Sequence, residues 1–305
     1  MNDGVARAGS SPPTARVVRV LEHLAARPDR PRNTTDIARE LGIARATCAL
    51  VLEELAAAGW ITHIPSKGYV LGPRLVPIVQ AALTSPASGS LAHDALVALA
   101  DELGLVCTTS GVVGDRIFVL DRAGPLITDG LDVHVGMQFP FAPPLGIVNV
   151  AWQPDAVVEA WLRTSPRPLS DEDNKRFWAA VEDARATGVY IEELTPQVFP
   201  LWSLLAGMTR DDVPAALQRA IGDALVPLAG RGYHSRDLVP GRTYPVSIVV
   251  APTFDGRGRQ HLAIAAFVAD YAVPHRRLMN IAARVRAAAD SVTRDAGGVD
   301  PWTKA

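Results

Sequence analysis

The stretch Asn33-Thr34-Thr35-Asp36-Ile37-Ala38-Arg39-Glu40-Leu41-Gly42-Ile43-Ala44-Arg45-Ala46-Thr47 decides the fold of the front of this chain. Asn33 is a capping residue with an acid three positions on, which marks a helix start. That helix runs over Thr34–Leu41 and stops at Gly42, because glycine enters the left-handed region without a Cβ penalty. A further helix follows over Arg45–Ala58, with Leu50, Val51, Leu52 and Leu55 at helical spacing. Upstream, Val17, Val18, Val20, Leu21 and Leu24 predict a helix from Thr14 to Ala26, closed by Pro28 and Pro31. Downstream, Gly59 ends the third helix. Trp60-Ile61-Thr62-His63-Ile64, the loop Pro65-Ser66-Lys67-Gly68 and Tyr69-Val70-Leu71 then predict a hairpin, with Gly68 supplying the positive φ of its turn.

Three short helices with a glycine turn, followed by a hairpin, make a winged helix-turn-helix pattern over residues 14–72. In such a unit the second helix braces the third, which enters a major groove about 12 Å wide. The first turn of the third helix, Arg45-Ala46-Thr47-Cys48-Ala49, then faces base edges. Arg45 reaches a guanine edge or a phosphate, Thr47 donates to phosphate, and Ala46 or Ala49 touches a thymine methyl. Lys67 stands at the wing tip. Asn33, Thr35 and Arg39 complete the candidate DNA-contact set. Leu50 and Ala49 fall where a DNA reader often carries polar or basic residues, so few cations face the expected groove. The competing reading is a fold that packs or binds a protein partner instead of an operator.

The bulk properties agree with a two-part protein. The 305 residues are long for one domain, and 48% hydrophobic with 20% charged residues is the balance of a globular chain that buries cores. The net charge of -2 excludes a wholesale polyanion binder. Residues 1–84 hold ten Lys and Arg against seven acids, which makes the front +3 and the remainder -5. Cys48 and Cys107 are too isolated for a zinc site or a disulfide framework, so a reducing, cytoplasmic setting is expected. No apolar run is long enough to span a membrane, and no signal segment opens the chain. Residues 1–13 read as a disordered tail.

Pro73 to Leu83 predicts a linker helix, and Ser85-Pro86-Ala87-Ser88-Gly89-Ser90 a flexible connector, so residues 73–90 join the winged helix to a second domain over 91–296. That domain opens with a helix, Leu91 to Glu102. Strands are expected at Val106–Val113, Arg116–Arg122, Leu126–Leu131, Val246–Ala251 and His261–Val268. Helices are expected from about Gly146 and over 155–163, 171–187 and 274–294. Asp211-Asp212 before Pro214 predicts one more, with Leu217, Ile221, Leu225 and Leu228 on one face.

The order of these segments resembles the IclR-type transcriptional regulators. The carrying residues are Asp36 to Ile43, Arg45-Ala46-Thr47, Leu55, Gly59-Trp60-Ile61 and Tyr69-Val70-Leu71-Gly72-Pro73-Arg74-Leu75. In the second part they are Asp115 to Arg122, Val135-Gly136, Pro144-Leu145-Gly146 and Ala251-Pro252-Thr253-Phe254-Asp255. The resemblance covers about residues 14–190 and 238–294. It implies an α+β protein in which a winged helix-turn-helix is joined by a linker helix to a GAF-like α/β effector-binding domain. It also implies a homodimer or tetramer on a near-palindromic operator, acting as repressor or activator, with a small-molecule effector and no cofactor, metal or membrane. With so few basic contacts per copy, dimerisation becomes necessary to DNA binding.

The expected pocket departs from the family pattern. Where the family places Cys and Ser, this chain has Ile248, Ala265 and Phe267. Where it places His, Thr and Lys, this chain has Phe141, Pro143 and Ile147. Leu145, Gly146 and Trp202 complete the candidate effector set. The losses predict a pocket for an apolar or aromatic ligand, or else one filled by its own side chains. Residues 191–237 match nothing in the family pattern and are expected as an inserted helical segment, a lid or subunit contact around Trp202, or an extra helical layer. No nucleophile elbow, phosphate loop or paired metal-ligand spacing occurs, so no catalytic residues are assigned. Glu192-Glu193 reads as a solvated pair.

Overall fold

A computed structural model describes residues 11–25, 30–83, 90–125, 133–195, 216, 220, 223–224, 226, 232–234 and 237–301. The chain divides into two compact units, Met1–Leu83 and Thr84–Ala305.

The first unit contains α1 (Pro12–Ala25), α2 (Thr34–Leu41), α3 (Arg45–Ala57), β1 (Ile61–Ile64), β2 (Gly68–Leu71) and α4 (Leu75–Leu83). α1 begins two residues before the expected Thr14, inside the stretch read as tail. α2 begins at an Asn33 cap whose Oδ1 accepts from the Asp36 amide at 2.9 Å, and Gly42 closes it at φ 63°. Val20, Leu24, Ile37, Ala38, Cys48, Leu52, Leu55 and Ile61 form the core of this unit, drawn from α1, α2, α3 and β1.

β1 and β2 pair antiparallel, His63 opposite Tyr69. The turn needs two left-handed residues, Ser66 at φ 65° as well as the expected Gly68 at φ 120°. Gly68 has a second reason to be glycine. A Cβ there would lie 2.3 Å from the carbonyl oxygen of Arg32, whose backbone exchanges hydrogen bonds with Tyr69.

The second unit is built on one antiparallel sheet of order β5-β4-β3-β8-β7-β6. Its strands are β3 (Val106–Val113), β4 (Arg116–Ala123), β5 (Gln138–Pro140), β6 (Tyr190–Glu193), β7 (Thr243–Phe254) and β8 (Gln260–Pro274). Helices α5 (Ser90–Leu103) and α9 (His275–Asp295) cover one face. Leu96, Cys107, Val249, Ile264, Ala266, Leu278, Ile281 and Val285 fill that interface. The opposite face carries α6 (Ile147–Ala151), α7 (Asp155–Leu162) and α8 (Asp171–Thr187), packed through Val150, Val158, Trp161, Phe177 and Val181.

β6 was not expected. Four residues with two glutamates give little strand signal, yet they pair along β7, Tyr190 with Val250 and Ile191 with Val249. The segment expected as a helical insertion from residue 191 therefore opens as an edge strand. β7 and β8 are also much longer than the expected strands. The expected strand at Leu126–Leu131 lies outside the described residues, as do most of the helix after Pro214 and the connector before Ser90.

α8 starts at a complete capping box. Ser170 Oγ accepts from the Asp173 amide, and Asp173 accepts from the Ser170 amide, each at 3.1 Å. Asp173 is buried and also meets Arg167 and Arg176 at 2.7 Å each. Burial pushes its carboxyl up, but the bonds from Ser170 and Arg176 outweigh burial and hold it below the usual carboxylate range.

Candidate functional site

In the first unit, Cys48, Leu52 and Leu55 turn one side of α3 into the core. At 100° per residue the opposite side carries Ala46, Leu50, Glu53 and Ala57. Leu50 is 63% exposed, so the residue that seemed out of place on a reading helix stands outermost on it. Arg45 and Ala46 are exposed at the first turn, while Thr47 and Ala49 are half-buried flanking positions. Glu53 and Glu54 follow in the next turn, so the positive end of this face is confined to its start.

That start is uncapped. Ala44 occupies the N-cap position and offers no side-chain acceptor, which leaves the first-turn amides open to an anion. Lys67 is exposed at the hairpin tip, and Thr35 is exposed on α2. The remaining two candidates are already engaged. Asn33 uses both ends of its amide on Asp36, accepting at 2.9 Å and donating to Oδ2 at 2.7 Å. Arg39 is exposed but pairs with Asp36 at 2.8 Å.

In the second unit a cavity of about 150 Å³ opens between the sheet and α6. Alternation along the strands assigns its wall. Thr108 and Ser110 of β3, Ile117 and Val119 of β4, and Tyr190 and Glu192 of β6 face it. So do Ile248 and Val250 of β7 and Ala263, Ala265 and Phe267 of β8. The intervening Cys107, Ile191, Val249, Ile264 and Ala266 belong to the core on the other face. One place breaks the alternation. The β7–β8 register shifts between Val246 and Ile248, and Ala269 of β8 stands in the left-handed region at φ 47°. There Ser247 and Ile248 both line the cavity, while Val246 and Val249 both enter the opposite core.

The loop over residues 141–146 and α6 close the other side. Leu145, Gly146, Ile147, Val148 and Asn149 line the cavity. Gly146 precedes α6 at φ 94°, where a Cβ would lie 2.6 Å from the Phe141 ring.

Six of the nine expected effector residues thus line one cavity: Leu145, Gly146, Ile147, Ile248, Ala265 and Phe267. Phe141 and Pro143 do not. Phe141 instead packs against the core on that face and against Gly146, and it is Pro144 that reaches the wall. Trp202 lies outside the described residues.

Thr108, Ser110, Asn149, Tyr190, Glu192 and Ser247 add polar groups to a lining that is otherwise apolar. Glu192 belongs to this wall and is not a solvated pair with Glu193. Sequence reading missed these six because it compared only positions polar in the family pattern. The alternation of β3, visible in its sequence, was the signal available for Thr108 and Ser110.

The two thiols are not reactive groups. Burial pushes Cys107 up to about 12 and raises Cys48 as well, so both stay protonated near neutral pH. Among the described residues no cluster of three His, Cys, Asp or Glu is placed to hold a metal, and no helix is long and apolar enough to cross a membrane.

Residues 13–65 match the IclR helix-turn-helix domain. Comparison with curated proteins returned no significant match. Solved structures match along nearly the whole chain. An IclR transcriptional regulator from Alicyclobacillus acidocaldarius is 20% identical, with 95% of this chain and 100% of that one covered and a TM-score of 0.67. An IclR homologue from Microbacterium hydrocarbonoxydans, solved in complex with 4-hydroxybenzoate, is 17% identical over 93% of this chain and 98% of its own, with a TM-score of 0.62. An IclR-family regulator from Brucella abortus is 14% identical over 97% of each chain, with a TM-score of 0.61. Residues 13–65 thus resemble the IclR helix-turn-helix domain, and the chain as a whole shares the fold of these solved IclR-type regulators.

Proposed function

We propose that this protein is a transcriptional regulator that binds double-stranded DNA through α3 and the β1–β2 wing, and binds a small-molecule effector in the cavity of its second unit. The observation that carries the first half is the uncapped, exposed start of α3 with Arg45 on its first turn. Arg45 and Lys67 supply the phosphate contacts, supplemented by the first-turn amides and Thr47. Ala46 and Leu50 meet base edges. Thr35 and Arg39 flank the approach, and Asn33 acts chiefly as the cap that holds α2 in place. Two such units in a dimer or tetramer double these contacts on a near-palindromic site in the cytoplasm, which compensates for the few cations on each copy.

The second half rests on the cavity's size and place. About 150 Å³ suits one ring, and a relative of the same fold holds a single-ring acid. Domain limits of 14–72, 73–90 and 91–296 serve this division of labour.

The test is a mobility shift with the protein's own upstream DNA across a salt series. Binding is expected to fall steeply with salt, and Arg45→Ala to weaken it by at least about 1 kcal/mol. A folded protein that shifts no specific fragment at any salt reverses the reading in favour of a protein-interaction module.

A further inference from the structure

Two residues that line the cavity each carry a buried polar atom with no hydrogen-bond partner among the described residues. Asn149 Nδ2, on α6, and Tyr190 Oη, on β6, are both buried without a hydrogen-bond partner, and each residue is only 8% exposed. Buried donors are nearly always satisfied, because leaving one unpaired costs about 1–3 kcal/mol. Two orphans on one cavity are therefore better understood as groups awaiting a ligand than as accidents of packing.

The chemistry of these two groups selects the ligand. Asn149 Nδ2 only donates. Burial, with Glu192 adding to it and Arg176 opposing, holds the Tyr190 phenol well above its ordinary value, so it remains an O–H. Both groups therefore ask for acceptor oxygens while carrying no charge themselves. Among the described lining residues there is no Lys, Arg or His to receive an anion. Burying a carboxylate without a paired cation costs several kcal/mol, whereas a neutral carbonyl meets neutral donors without that cost. The remaining walls, Ile117, Val119, Ile248 and Phe267, offer apolar surface to a ring.

We infer that the cavity takes an uncharged molecule of single-ring size bearing a carbonyl-type oxygen (an amide, ketone, ester or aldehyde), which accepts hydrogen bonds from Asn149 Nδ2 and Tyr190 Oη. This rests on the reading of the cavity as the effector site, and it departs from the acid held by the relative from Microbacterium hydrocarbonoxydans.

The experiment is calorimetric titration of the full-length protein with three probes of one size: benzamide, benzoate and benzylamine. Benzamide is expected to bind best. Asn149→Leu and Tyr190→Phe should each weaken it about five- to tenfold, the loss of one hydrogen bond. Tyr190→Phe should leave the melting temperature of the ligand-free protein unchanged or raised, because an unpartnered hydroxyl has been removed. A merely structural tyrosine would lower it. Tighter binding of benzoate or benzylamine than of benzamide overturns the inference while the effector site stands. Benzamide binding that neither substitution weakens overturns the assignment of the two donors. Binding of none of the three overturns both the inference and the site.

Discussion

Trp161 donates its indole N–H to the carbonyl oxygen of Leu145 at 3.1 Å, tying α7 to the loop that closes the cavity. Trp161 is itself buried and meets the Phe177 ring edge-on at 5.9 Å, so the loop is anchored through α7 to α8. Trp161→Phe keeps most of the apolar contact and removes the bond. The expected cost is about 1 kcal/mol of stability by urea denaturation, with weaker ligand binding because Leu145 lines the wall.

The outermost side chain of α3 yields a prediction about base preference. Ala46 and Leu50 offer methyl groups and no hydrogen-bonding atoms, and the base feature that suits them is the thymine methyl. Replacing thymine by deoxyuridine at the contacted positions of a bound operator should cost about 0.8 kcal/mol, or about fourfold in affinity. The same replacement should matter less to Leu50→Ala. Equal losses for both proteins would show that Leu50 does not touch the base.

Gly68→Ala forces a Cβ against the Arg32 carbonyl, which is backbone and has no room to yield. It also places a side chain at φ 120°. The expected loss is more than about 2 kcal/mol. Melting should show it, together with loss of DNA binding, because the same contact holds the wing to the segment before α2.

Asp255 gives the pH dependence. Its carboxylate accepts from the backbone amides of Arg259 and Arg257 at 2.9 Å each and from the Arg259 guanidinium at 2.8 and 3.0 Å. These bonds, the Arg259 amide foremost, hold the carboxyl at about 2 against an ordinary 3.8. A depressed value means stability that is present above pH 4 and lost as the pH falls toward 2. Asp255→Asn should be less stable than the parent at neutral pH by about 1 kcal/mol. The difference should shrink across that window in paired acid denaturation curves.

Much of the frame was legible because it is written in local rules. The Asn33 cap, the Gly42 stop and the Gly68 turn are each decided by a few neighbouring residues, and β3 and α8 fall where periodicity puts them. The wall of the cavity was legible only in part. Ile248, Ala265 and Phe267 could be placed by comparison with a family pattern, but Asn149 and Tyr190 could not. Their role depends on which groups across the sheet fail to reach them, and no local pattern records a missing partner. β6 was invisible for a related reason. An edge strand of four residues is specified by the register that β7 offers it, and its glutamates spoke for solvent.

The left-handed residue at Ala269 has a consequence for how this wall can change over time. Side chains on a strand take turns between two faces, so adding or losing one residue exchanges the faces for everything beyond it. Near Ser247 that exchange is already built in, and the cavity gains a hydroxyl beside an isoleucine because of it. Substitutions at Ser247 or Ile248 would tune what the ligand meets. A single-residue deletion at Ala269 would instead exchange the two faces of β8 on one side of it, next to the place where Ser247 and Ile248 meet the cavity. Along these two strands the binding preference is stored in a count of residues as much as in their identities, and drift by point mutation leaves that count untouched.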